Sequence, residues 1–165
     1  MQFAKDTFYI ALRDRLAALN PERAVTIGGL PRPAVLVVEN EIVNSTPPLP
    51  DAFYVRFGAV RVARKQDQAA RPLLAMETVI SYRTAGSGET KVDRGRTLAA
   101  LDQELLQICS PPQTPKTDYT QTPAAALGSN VLWSAPDIGE LEAAGGELRR
   151  SARLTLLFFP EVEIA

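Results

Sequence analysis

Two long stretches of alternating apolar and polar residues dominate the middle of the chain, Phe53 to Ala63 and Leu73 to Thr84. Successive side chains on a strand point to opposite faces, so this period of two predicts a pair of antiparallel strands. The first sets Phe53, Val55, Phe57 and Ala59 against Tyr54, Arg56, Gly58, Val60 and Val62. The second sets Leu74, Met76, Thr78, Ile80 and Tyr82 against Ala75, Glu77, Val79, Ser81 and Arg83. The polar segment from Arg64 to Arg71 between them predicts a projecting hairpin tip.

A different spacing appears on either side of this pair. Phe8, Leu12, Leu16 and Leu19 recur at helical intervals, which predicts an amphipathic first helix capped by Asp6 or Thr7 and stopped by Asn20-Pro21. Leu98, Leu101, Leu105 and Ile108 form a second apolar stripe. That helix opens from a linker at Gly86, begins at Asp93 or Thr97 and ends at Ser110-Pro111-Pro112.

Shorter strands complete the pattern. Ala24 to Ile27 and Pro33 to Glu39 flank a Gly28-Gly29 turn as a short hairpin, and the run Ala34 to Val38 suits a strand buried on both faces. Asn44 to Pro50 reads as a loop, because its three prolines remove backbone donors and disfavour helix. Gln113 to Ala126 also reads as a long loop, with too few large apolar residues for a core layer. Asn130 to Ala135 and Glu147 to Phe159 read as closing strands, separated by an acidic turn and Gly145-Gly146. The last begins polar on one face and ends apolar on both, as expected of a strand running from an exposed edge or partner interface into the interior.

Composition narrows the class. With 165 residues the chain fits one domain, residues 1–165, large enough to bury roughly two-thirds of its unfolded surface. Its 45% hydrophobic and 22% charged content is ordinary for a globular protein. A net charge of -1 gives no global attraction for nucleic acid or an anionic membrane. The single cysteine, Cys109, excludes an intramolecular disulfide, and neither a secretory leader nor a membrane-spanning run is expected. A soluble, cytoplasmic protein is the expectation.

Candidate chemistry is sparse. The chain has no histidine, which removes the commonest general base, the usual Ser-His and Cys-His dyads and the commonest metal ligand. Glu39, Glu41 and Asp51, and likewise Asp137, Glu140 and Glu142, are carboxylates without calcium-loop spacing, best read as solvated loop edges. Gly86-Ser87-Gly88-Glu89-Thr90-Lys91 lacks the spacing of a phosphate loop and reads as a strand-to-helix connection. Cys109 and Trp133 read as buried or interface anchors rather than reactive groups. No catalytic, cofactor or metal residue is assigned. Arg56, Arg61, Arg64, Lys65 and Arg71 converge with Arg149, Arg150 and Arg153 if the central and terminal strands are neighbours. Such a strip suits either a nucleic-acid backbone or the protection of sheet edges, and near-neutral charge favours the second.

The element order resembles the small tail-terminator and tail-completion proteins of long-tailed phages. The segments that carry the likeness are Thr7 to Leu16, Phe53 to Phe57, Ala75 to Tyr82 and Leu154 to Phe159. The resemblance implies a tail-terminator-like α+β fold, a mainly antiparallel twisted sheet flanked by two helices. It implies a structural protein of a phage or prophage tail, assembled in the cytoplasm and resident in the virion tail, that ends or caps the tail tube. It also implies a hexameric ring of identical subunits, with the tail tube and head-completion proteins as partners and no enzyme activity or cofactor. Subunit contact is then expected at Arg56, Arg61, Arg64, Arg149, Arg150 and Arg153. The alternatives are a nucleic-acid-binding module, which needs those arginines on one face, and a histidine-free metal-dependent hydrolase, which needs several of Glu39, Glu41, Asp51, Asp137 and Glu140 in one pocket.

Overall fold

A computed structural model describes residues 1–41, 48–64 and 71–161. The expected contents of 42–47 and 65–70, most of the first proline loop and the tip of the long hairpin, lie outside the described residues.

Helix α1 (Gln2–Leu19) precedes the hairpin β1 (Ala24–Ile27) and β2 (Leu30–Pro33), then β3 (Val35–Val37) and the single turn α2 (Val38–Glu41). The long strands β4 (Phe53–Arg64) and β5 (Leu73–Thr84) lead into α3 (Arg94–Ile108). There follow β6 (Gln113–Asp118), β7 (Ala125–Trp133), β8 (Asp137–Ile138), β9 (Glu142–Ala144) and β10 (Glu147–Phe158). The fold is α+β. Its main sheet runs β3-β4-β5-β10-β7-β6, with β8 and β9 also pairing β10, and every pairing is antiparallel except β3 with β4.

Both long helices lie on one face of this sheet. Phe8, Leu12 and Leu16 are fully buried at successive four-residue steps of α1, and Leu98, Leu101, Leu105 and Ile108 form the corresponding stripe of α3. They meet Val55, Met76, Ile80, Leu154, Leu156 and Phe158 in one core. Burying a side chain of this size stabilises the fold by about 1.5–3 kcal/mol each before entropy is counted. Aromatic edges fix the seam: Phe8 packs edge-on against Trp133 at 5.1 Å and Phe57 at 6.4 Å. Among the described residues neither long helix covers the sheet's other face, and only the single turn α2 lies near it, Val38 lining a groove there with Tyr54 and Arg56.

Several expectations change. Helix α1 starts at Gln2 with Met1 as its N-cap, so Asp6 and Thr7 lie inside it, and Leu19 is exposed. The Gly28-Gly29 hairpin exists, with both glycines at positive φ as a type I′ turn requires, but its return strand is Leu30–Pro33. Val35–Val37 instead joins the main sheet parallel to β4. Gln113–Asp118 is an edge strand rather than loop, and Ala125 already belongs to β7. Strand β10 sits in the middle of the sheet, between β5 and β7, and is no edge.

Candidate assembly surface

The two flanks of the sheet are treated differently, and the difference begins in α1. Thr7, fully buried, bridges the outer edge of β6: its hydroxyl accepts from the Thr117 N–H at 3.0 Å and donates to the Thr117 carbonyl at 3.3 Å. Two turns on, the Arg15 guanidinium donates to the carbonyls of Ile108 at 3.0 Å, Pro111 at 2.8 Å and Gln113 at 3.1 Å. It also lies over the Trp133 ring, 5.1 Å from the centroid. One cation thereby satisfies the C-terminus of α3 and the start of β6, where carbonyls would otherwise be orphaned. Beneath it Cys109 is buried and its thiol is pushed up to about 12, chiefly by burial.

The opposite flank has no such cover among the described residues. Strand β3 pairs only with Phe53, Tyr54 and Val55, which leaves β4 from Arg56 to Arg64 bonded on one side alone. A register shift between Phe57 and Val60 inserts one residue here, at Gly58-Ala59. A side chain at Gly58 would press its Cβ to 3.1 Å from the Glu77 carbonyl oxygen, so glycine suits the bulge. The shift turns Val60 and Val62 to the helix-bearing side, opposite Met76 and Leu74, where simple alternation puts them on the other. They are 38% and 49% exposed.

A second open edge lies on the far side of β10. There β8 and β9 pair β10 and, among the described residues, no further strand. Residues 139 to 146 are all exposed, and Leu141 stands 47% exposed between Glu140 and Glu142.

The predicted arginines divide between the two faces. Arg56 and Arg153 both pair with Val79, so the three form one row across the helix-free face. Arg149 sits on the same face beside Arg83, within 3.5 Å of Glu147. Arg61 is exposed opposite Ala75, and Arg64 closes β4 opposite Leu73. Arg150 is turned to the helices instead. It donates to Asp102 at 2.8 Å, and Asp102 also accepts from the Tyr82 hydroxyl at 2.6 Å. This trio pins α3 to β5 and β10, and burial followed by the Asp102 contact raises the Tyr82 phenol well above its ordinary range. Among the described residues Arg56, Arg61 and Arg153 make no ion pair. Arg83, which donates to Glu147 at 2.6 Å, belongs to this surface although only the three-dimensional register places it there. A groove of about 460 Å³ opens on this face, lined among others by Tyr54, Arg56, Ser81, Arg149 and Glu142.

The candidate carboxylates are dispersed. Glu39 pairs with Lys5 at 3.1 Å and Glu41 with Arg32, while Asp137 stands across the sheet on β8. No group of three potential metal ligands occurs among the described residues. In the connection before α3, the Ser87 N–H donates to the Asp93 carboxylate at 2.9 Å, so the loop's amide is occupied by the chain itself. No described helix is long and apolar enough to cross a membrane.

No family model matches the chain, and no curated protein matches it. Among solved structures, one that carries no functional description is 15% identical over 97% of both chains, with a TM-score of 0.44. A chain from the virion of a native gene transfer agent particle is 18% identical, covering 93% of this chain and 92% of that one, with a TM-score of 0.38.

Proposed function

We propose that the chain is a structural subunit of a phage or prophage tail, one that ends or caps the tail tube and joins it to head-completion proteins. The observation that carries this reading is the asymmetry of the sheet: β6 is closed by α1, while among the described residues the backbone of β4 from Arg56 onward and that of β8–β9 have no partner strand on their outer side. Exposed strand edges invite pairing with another chain, and soluble monomers usually blunt them. The element order, with its paired long strands, covering helices and closing β10, supports the tail-terminator likeness. Work is done by surfaces, with Arg56, Arg61, Arg64, Arg149 and Arg153 at or near subunit contacts and Arg150 holding α3 in place behind them. By that likeness the assembled form is a ring of six.

Light scattering and sedimentation over a wide range of protein concentration test the reading. A multimer that grows with concentration and closes at a fixed size is expected. A strict monomer that turns over a small substrate overturns it. A nucleic-acid module has weaker support, because Glu77, Glu142 and Glu147 interleave with the arginines of the helix-free face; a salt-sensitive mobility shift with DNA would favour it.

A further inference from the structure

The two open edges match each other in charge and spacing. On β4, Arg56 stands opposite Val79 and Arg61 opposite Ala75, so residues five apart on this strand are four apart on its neighbour. On the other edge, Asp137 stands opposite Arg153 and Glu142 opposite Arg149, again five apart against four. Each edge carries one extra residue between its two charges, at Gly58-Ala59 and at Glu140-Leu141. Both pairs therefore point to the helix-free face, each spanning four residues of regular strand, about 13 Å. Direction matches too: β4 runs with β10, and β8 and β9 run against it. Two copies in the same orientation would meet as antiparallel strands.

We propose that copies of this chain join head to tail by sheet extension, the β4 edge of one pairing with the β8–β9 edge of the next. In a single register Arg56 faces Glu142 and Arg61 faces Asp137. The same register sets Val60 against Ile138 on the helix-bearing side, giving a half-exposed apolar side chain an apolar neighbour. Pairing β4 with itself is disfavoured, since that edge presents Arg56 and Arg61 and would oppose like charges. A contact using two different edges is heterologous, and it closes into a ring when its rotation permits. This deepens the assembly reading above and rests on it.

Charge exchange tests the pairing. One variant carries Arg56→Glu with Arg61→Glu, a second carries Asp137→Arg with Glu142→Arg, and circular dichroism with thermal melting verifies that each is folded. Each alone is expected to shift from multimer to monomer, and mixing the two is expected to restore multimers, because each reversed edge then finds its complement. Multimers in wild type and in both variants would overturn the edge pairing while leaving the assembly reading intact. Loss in each variant without rescue on mixing would overturn it as well. A monomeric wild type at every concentration would overturn both. Should a variant fail to fold, Arg61→Cys and Asp137→Cys chains are mixed and oxidised instead. A covalent dimer of the two is expected, and its absence in a multimeric sample refutes the register.

Discussion

Strands β6 and β4 are both flanks of one sheet, yet their outer backbones meet opposite fates. At β6 the chain spends two side chains of its first helix, Thr7 and Arg15, on groups that would otherwise face solvent or another molecule. At β4, among the described residues, it provides a three-residue parallel partner and nothing beyond Val55, so the rest of the edge is guarded by charge. A sheet that were merely avoiding aggregation would gain from closing both sides. The contrast teaches that closure here is selective, and that the flank left open is the one whose chemistry finds a complement elsewhere on the same molecule.

The largest perturbation should fall on the closed flank. Phe8→Ala removes the ring that locks α1 between Trp133 and Phe57, and is expected to cost about 3–5 kcal/mol in urea unfolding. Exposure of β6 should then make the protein prone to non-specific aggregation. Arg15→Ala is expected to cost about 1.5–3 kcal/mol, since it removes the donor to three carbonyls, that of Ile108 part-buried, together with the cation over the Trp133 ring. Thr7→Val keeps the shape and removes only the bridge to Thr117; a loss of about 1–2 kcal/mol is expected, with faster amide exchange at Thr117.

A milder test uses pH. The raised Cys109 thiol contributes stability that is fully present below 9.0, its ordinary value, and lost as the pH climbs toward about 12, because the unfolded chain ionises first. Melting temperatures should fall across that window, and Cys109→Ala should flatten the fall. At neutral pH the native thiol should resist alkylation. The smallest effect belongs to the open flank: Arg61→Ala should change the stability of the isolated subunit by no more than about 0.5 kcal/mol. A larger loss would mean that β4 is held by its own chain after all, and the comparison of flanks would collapse.

Much of the architecture is legible in the residues because periodicity reports burial directly. The stripe Phe8, Leu12, Leu16 and the alternation through β5 and β10 announce their faces. The bulge at Gly58 is not announced, so Val60 and Val62 read onto the wrong face; one inserted residue inverts a strand without altering its composition. Strand β6 is hidden for another reason. Its buried members are Lys116 and Asp118, whose heads are satisfied by the Phe159 carbonyl and by Thr120 and Gln121, and no hydropathy pattern marks such a strand. The arginines of β4 are visible as candidates from the outset. Their counterparts Asp137 and Glu142 look like an ordinary acidic turn, since only the central position of β10 shows that this turn is a second edge.

That central position also sets an order of events during synthesis. Every other described strand of the main sheet precedes β10 along the chain, and β10 alone links the β4–β5 pair to the β6–β7 pair. Within the sheet, then, nothing pairs the two hairpins on the ribosome until residues 147–158 emerge. Only then do the β4 edge and the β8–β9 edge exist together, so on the proposed pairing a polypeptide interrupted before that point has no finished edge to offer.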